Sequence, residues 1–189
     1  MFSKKIILGS SSPRRKQLLE SLGVSCEIRK VDVEEIYPAS LSLTEVPLYL
    51  AKLKAEPLKT SIQPGEVLLT SDTVVLLHDE IIGKPTGEED AIQMLKKLSG
   101  NTHKVVSGVN LYSIDKEITF SVVTEVTFKP LSGEEIIYYV QEFKPFDKAG
   151  SYGIQEWIGM IGVEKINGCF YNVMGLPVHN LWKMLNEQF

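Results

Sequence analysis

Short apolar runs alternate along the chain with segments of helical period, and that alternation predicts a layered α/β arrangement. Lys4 to Gly9 reads as a buried strand, because Ile6-Ile7-Leu8 is a compact apolar run ending at glycine. Ser12-Pro13 supplies an N-cap followed by proline at the first helical position. The helix it opens carries Leu18, Leu19 and Leu22 on one face and stops at Gly23. Ser25 to Val33 reads as a second strand, leading into Glu34-Glu35 and a polar loop through Pro38. Thr44 and Glu45 open a second helix carrying Leu48, Ala51, Leu53 and Ala55.

Pro64-Gly65 turns the chain into Glu66 to Leu77, an extended run rich in Val, Leu and Thr. His78-Asp79-Glu80 then turns back into Ile81-Ile82. Thr86 and Glu89 have the spacing of a capping box for a helix to Leu98, ended by Gly100. Two long strands are expected at His103 to Ile114 and Ile118 to Phe128, with a hairpin at Asp115-Lys116. Ser132 and Glu135 form a second capping-box pair for a helix through Glu142. Asp147 to Gln155 is punctuated by glycine and reads as irregular. Asn167-Gly168, between Ile158 to Lys165 and Cys169 to Val173, is the strongest short hairpin signal. Pro177 opens a last helix. Hairpins together with helical crossovers predict a mixed sheet flanked by helices.

Composition narrows the class. The 189 residues are 43% hydrophobic and 23% charged, enough for a core without staples, in one domain or two lobes over a shared sheet. The net charge of −4 disfavours a nucleic-acid partner, so an anionic ligand needs a local basic cluster. Cys26 and Cys169 form no CxxC pair, and reduced thiols in a cytoplasmic protein are expected, with a single disulfide as the alternative. Met1 to Leu8 is too short an apolar segment for a signal peptide or membrane span, so no membrane partner is expected.

Four segments hold candidate chemistry. Ser10-Ser11-Ser12-Pro13-Arg14-Arg15 joins a strand to a helix N-terminus, where free N–H groups, hydroxyls and guanidiniums suit a phosphate chain. The same residues also read as a plain N-cap with two surface arginines, and no GxxxxGK[ST] loop is present. Asp72 interrupts an apolar strand, where a carboxylate either meets a cation or metal or faces water. Glu34-Glu35 offers further oxygen ligands of the kind magnesium or manganese takes, or is simply solvated. His78, His103 and His179 are scattered and read as structural. Gly83-Lys84-Pro85 holds a lysine in a rigid turn, and Lys52 and Lys54 add charge on the second helix. Asp147 through Gln155 would let backbone approach a ligand, with Tyr152 or Gln155 against a base, or is a packed loop.

In this order the segments resemble the Maf family of nucleotide pyrophosphatases. The matching stretches are residues 7–19, Ala51-Lys52-Leu53-Lys54-Ala55, Ser71-Asp72-Thr73-Val74-Val75, Gly83-Lys84-Pro85, residues 98–105, 147–155 and 173–177. The resemblance implies one domain over residues 1–189, an elongated twisted mixed sheet with two lobes around a cleft, similar to inosine triphosphate pyrophosphatases. It implies hydrolysis of a nucleoside triphosphate to monophosphate and pyrophosphate with a divalent cation, magnesium or manganese. Asp72 would accept the proton of water and, with Glu35, hold the metal; Ser10, Arg14, Arg15, Lys54 and Lys84 would bind the phosphates. Arg14, Thr73 and Gln155 match the branch acting on dTTP and UTP, with CTP and modified pyrimidine nucleotides as further substrates. A homodimer and a link to cell-division arrest are likewise implied by resemblance only. Thr70-Ser71 stands where the family usually has Gly-Ala, and Gly108 where it usually has Ala. The alternatives are a 7-methyl-GTP or purine pyrophosphatase and a non-catalytic nucleotide-binding regulator of septation.

Overall fold

Strand β1 (Lys5–Leu8) forms where the apolar run predicts it, and its Ile6, Ile7 and Leu8 are completely buried. The computed structural model describes residues 3–30 and 32–189. Met1 and Phe2 of the N-terminal segment, and Val31 of the expected second strand, lie outside the described residues. Helix α1 (Pro13–Ser21) starts at Ser12, whose side chain accepts the Arg15 N–H, and the chain leaves it through Gly23 at φ +74°. Leu18 and Leu19 are its buried face.

Strand β2 covers only Cys26–Ile28, paired parallel with β1, against the nine residues expected. Arg29 N donates to Leu8 O, the last residue of β1, so among the described residues the pairing ends where β1 ends. Helix α2 (Val46–Lys59) likewise starts after the expected Thr44. The Glu45 carboxylate accepts from both the N–H and the hydroxyl of Ser42, closing a turn ahead of the helix. Its core face is Val46, Leu50, Ala51 and Ala55, a 3.6-period stripe, while Leu48 and Leu53 sit half-buried beside it.

Strand β3 (Glu66–Leu77) runs parallel to β1 and turns through His78-Asp79, His78 at φ +52°, into the antiparallel β4 (Glu80–Ile82). Thr70 and Gly108 both lie at the contact with α2. Thr70 Oγ1 donates to Ala51 O at 2.7 Å, and a Cβ on Gly108 would stand 2.3 Å from Leu48 N.

Helix α3 (Glu88–Leu98) forms without the expected Thr86–Glu89 box. Thr86 instead donates its N–H and hydroxyl to Asp90 Oδ2, one residue further on. Three acidic residues in its first turn and two lysines in its last complement the helix dipole. Strands β5 (Thr102–Ser113) and β6 (Lys116–Phe128) are joined by a two-residue turn at Ile114-Asp115. Helix α4 (Gly133–Phe143) has the expected Ser132–Glu135 capping box with both reciprocal bonds. Residues 147–155 are irregular apart from a single 3-10 turn at Ala149–Ser151.

The expected hairpin around Asn167-Gly168 does not form. Trp157–Gly162 is helix α5, Val163–Asn167 is strand β7, and Phe170–Val173 is helix α6. Strand β7 takes β6 as its antiparallel partner, with Val126 opposite Ile166. At Gly168 the chain lies against Thr124, whose Oγ1 accepts the Cys169 N–H, so the next segment is diverted into a helix. Helix α7 (Val178–Gln188) closes the chain.

The strand order is β2-β1-β3-β5-β6-β7, with β4 on β3, a mixed sheet as expected. The chain divides into two compact units, residues 1–73, 107–122 and 175–189 in the first and 74–106 and 123–174 in the second. In the first, Ile7, Ala55, Ile62 and Leu68 pack together under Leu58 and Tyr112. In the second, Leu95, Phe128, Tyr139, Ile154 and Ile158 are central to the core. Among the described residues both cysteines are free, and no helix is long and apolar enough to cross a membrane.

Candidate active site

In the first unit the turn from β1 to α1 carries Ser10, which is 9% exposed. Its Oγ accepts from Ser12 N and from Arg15 Nη1, both at 3.2 Å. A hydroxyl oxygen has two acceptor positions and one proton, so Ser10 is left with only its proton to offer a ligand. That is the polarity an anion requires.

Arg15 binds protein oxygens with three of its five N–H groups. Nε donates to Gly175 O at 2.9 Å, Nη1 to Ser10 Oγ and Nη2 to Thr73 Oγ1 at 3.3 Å. Burial lowers the pKa of this guanidinium; the nearby Asp72 charge works against that and Arg14 adds to it. Thr73 Oγ1 also meets Ser107 Oγ at 2.8 Å and Gly175 O at 3.3 Å, which exhausts the capacity of a hydroxyl. Arg15 and Thr73 are therefore linked in one network across the loop at Gly175. Arg14, half-buried in the first turn of α1, stands beside them in sequence.

Asp72, Lys54 and Glu35 are brought together. Lys54 Nζ on α2 lies 2.6 Å from Asp72 Oδ1 on β3 and 2.9 Å from Glu35 Oε1 on the loop after β2. The Lys54 and Asp72 side chains are 14% and 13% exposed, and Glu35 is 54% exposed. Water screens the second contact far more than the first, so Lys54–Asp72 is the strong pair. Asp72 meets a cation, as one of the two sequence readings expects.

The carboxylates also bear on the expected metal. Asp72 and Glu35 are hard oxygen donors close enough to share one ammonium, and that donor set fits magnesium or manganese. Among the described residues no group of three His, Cys, Asp or Glu side chains gathers as a metal cage. A magnesium-type ion needs none, since it keeps waters and takes phosphate oxygens as its remaining ligands.

Lys84 and Gln155 belong to the second unit. Lys84 is exposed beside buried Pro85, and the Gly83 carbonyl accepts from Gly150 N at 2.9 Å, fastening that turn to the 147–155 loop. Gln155 is exposed and lines a pocket of about 400 Å³ together with Ile154, Met160, Val163, Ile166 and Phe170. Tyr152 does not face a ligand. It is 5% exposed, its hydroxyl is 2.7 Å from His103 Nε2, and its ring packs on Phe128.

Several site neighbours escape sequence reading. Ser107 carries only the faint signal of a small polar residue before Gly108 inside an apolar strand. Gly175 contributes a carbonyl, which no side-chain pattern reveals. Tyr139 looks like one more core residue of α4, yet its hydroxyl bonds Gly153 N and the Glu156 carboxylate.

The fold is thus an α/β mixed sheet whose first unit gathers acidic, ammonium and guanidinium groups beside a helix N-terminus. A family model described as "Maf-like protein" matches residues 5–188, and the chain belongs to that family. It is 53% identical over 184 residues to the dTTP/UTP pyrophosphatase of Phocaeicola vulgatus, covering 97% of this chain and 95% of that protein. It is 50% identical over 186 residues to the dTTP/UTP pyrophosphatase of Porphyromonas gingivalis, covering 97% and 94%. The solved structure of the Staphylococcus aureus Ham1 protein shares the fold at TM-score 0.50 and 16% identity, over 98% of this chain and 100% of that one.

Proposed function

We propose that this protein hydrolyses dTTP and UTP to the nucleoside monophosphate and pyrophosphate. The observation that carries the chemistry is the Lys54–Asp72–Glu35 cluster, a near-buried carboxylate fixed by one ammonium beside a second carboxylate. The near-full-length match to two dTTP/UTP pyrophosphatases supports the substrate class.

In the reaction a water oxygen bonds to the α-phosphorus, the bond from that phosphorus to the α–β bridging oxygen breaks, and pyrophosphate leaves. Asp72 accepts the proton that water loses. Lys54 anchors Asp72 Oδ1 and so fixes the orientation of the carboxylate. Ser10 donates its remaining proton to a phosphate oxygen, and Arg14 and Lys54 supply positive charge toward the triphosphate. Arg15 uses the two N–H groups left after its protein contacts. Such a reaction asks chiefly for positioning and charge neutralisation, so no Ser-His-Asp or Cys-His arrangement is required. A magnesium or manganese ion, held by Asp72 and Glu35, would add water activation and charge shielding.

Selection of the pyrimidine base falls to Gln155. Its carboxamide places a donor beside an acceptor, the complement of the N3–H and O4 edge of uracil or thymine. The remaining lining of its pocket is apolar, which suits a ring face and a 5-methyl group. Pyrophosphate release from a panel of canonical and modified triphosphates, with magnesium, manganese or chelator, tests the proposal. Metal-dependent release from dTTP and UTP is expected. Release only from 7-methyl-GTP or a purine nucleotide would overturn the substrate, and no release at all would overturn the activity.

A further inference from the structure

The turn that carries Gln155 has an unusual fastening. Glu156 N donates to Gly153 O at 3.0 Å, closing the four residues Gly153-Ile154-Gln155-Glu156 into a turn. Both ends of that turn bond the same phenol oxygen from α4. Gly153 N donates to Tyr139 Oη at 3.0 Å, and Tyr139 Oη donates to Glu156 Oε2. Tyr139 is fully buried, and its ring stacks on Phe143 with centroids 5.1 Å apart, so the oxygen that holds the turn is itself immobile.

The other Glu156 oxygen forms an ion pair with Lys148 Nζ at 3.2 Å, and Lys148 also meets Asp147 Oδ1 at 2.7 Å. Lys148 is 9% exposed, a cation that needs these carboxylates. Burial, with the neighbouring Glu156 charge, pushes the Tyr139 pKa well above the ordinary phenol value and keeps the hydroxyl a donor. Gly153 completes the arrangement. A Cβ there would lie 2.7 Å from Glu156 Cδ and 3.0 Å from Gln155 Nε2. The Gln155 carboxamide and the Glu156 carboxylate therefore lie close against the bare face of Gly153.

We propose that Tyr139 and Glu156 are positioning residues for substrate selection, stapling both ends of the Gly153–Glu156 turn so that Gln155 presents its carboxamide in one orientation. The inference rests on the reading of Gln155 as the base-selecting group. Neither residue touches substrate. A carboxamide that could swing would offer donor and acceptor in either order and would lose its discrimination between a uracil edge and others.

Initial rates with dTTP, UTP, dCTP and GTP are compared for the unmodified protein, Gln155→Ala, Tyr139→Phe, Glu156→Gln and Glu156→Ala, with the Tm of each. Tyr139→Phe keeps the ring and removes both bonds. The dTTP-over-GTP preference in kcat/KM is expected to fall about five- to tenfold, through KM, with kcat within about twofold, the size of one or two lost hydrogen bonds. Glu156→Gln, which still accepts from the phenol, should keep more of the preference than Glu156→Ala. If Gln155→Ala lowers the preference while Tyr139→Phe and Glu156→Ala leave it intact, the positioning role is overturned and the base reading stands. A loss equal for all substrates and tracking Tm would overturn it too, as plain destabilisation. An unmodified protein without pyrimidine preference would overturn the base reading itself. Should Tyr139→Phe fail to fold, the Glu156 pair carries the same comparison.

Discussion

Lys54 Nζ lies 2.6 Å from Asp72 Oδ1, with both side chains about seven-eighths shielded from water. Asp72→Asn keeps the size of the side chain while removing its ability to take a proton. Turnover should fall by about 10²- to 10⁴-fold, the range of a lost general base. Tm should change by only a few degrees, because the amide oxygen still accepts from Lys54. Steady-state rates with dTTP and a thermal melt check this together, and near-normal turnover would remove Asp72 from the chemistry.

Arg15 makes a different prediction from a phosphate ligand on the surface. Its fork ties Ser10 Oγ, Thr73 Oγ1 and Gly175 O, three acceptors on separate segments of the first unit. Lysine keeps the charge but offers one point donor and cannot span them. Arg15→Lys should therefore cost both stability, about 1–3 kcal/mol, and most of kcat/KM. Arg14→Lys is the contrast, with a smaller loss in Tm. Equal melting temperatures for the two variants would mean that the Arg15 fork does not hold the turn.

These two residues also mark how far sequence reaches. The Asp72 clue is legible because a carboxylate inside Val67 to Leu77 violates the strand pattern, and a buried charge requires a partner. Its partner Lys54 comes from helix α2, and only the crossover into β3 brings the two together. The strands β1, β3, β5 and β6 were legible for the same periodic reason, as was the Ser132–Glu135 cap. Failures occur where local signals compete with tertiary partners. Asn167-Gly168 is a strong hairpin dipeptide, but β7 finds β6 instead, and Thr124 captures the next N–H. At Thr86 the side chain prefers Asp90 to the Glu89 of the motif. Contacts made through backbone atoms, such as Gly175 O to Arg15 or Gly153 N to Tyr139, leave no trace in residue identity.

Gly159 tests the reassigned segment directly. It lies in α5, where a strand was expected, and a Cβ there would fall 1.9 Å from Ile154 O. A backbone carbonyl cannot swing aside as a flexible side chain can. Gly159→Ala must therefore shift either α5 or the Gly153–Glu156 turn, at a cost of about 1–3 kcal/mol. Alanine is the better helix former, so propensity in isolation predicts the opposite sign. A denaturant melt decides between them: a raised midpoint would mean that the turn yields without penalty.

His103 gives the protein a pH dependence of predictable sign. The ring is 1% exposed, Nε2 meets the Tyr152 hydroxyl at 2.7 Å, and Nδ1 has no partner among the described residues. Burial lowers its pKa from 6.5 to about 4. Between those values the unfolded chain binds a proton that the folded chain refuses, so stability rises with pH across the window. The contribution is complete above about pH 6.5 and is lost as pH falls toward 4, up to about 3 kcal/mol in all. For a chain of this length that corresponds to a Tm loss of roughly 6–12 °C. Carboxylates titrate in the lower part of the same range, so the comparison is between the unmodified protein and His103→Gln. The glutamine carries no titrating group, and its Tm should decline less steeply from pH 6.5 to 5, whatever its absolute stability. Parallel curves for the two proteins would show that His103 does not carry the acid sensitivity.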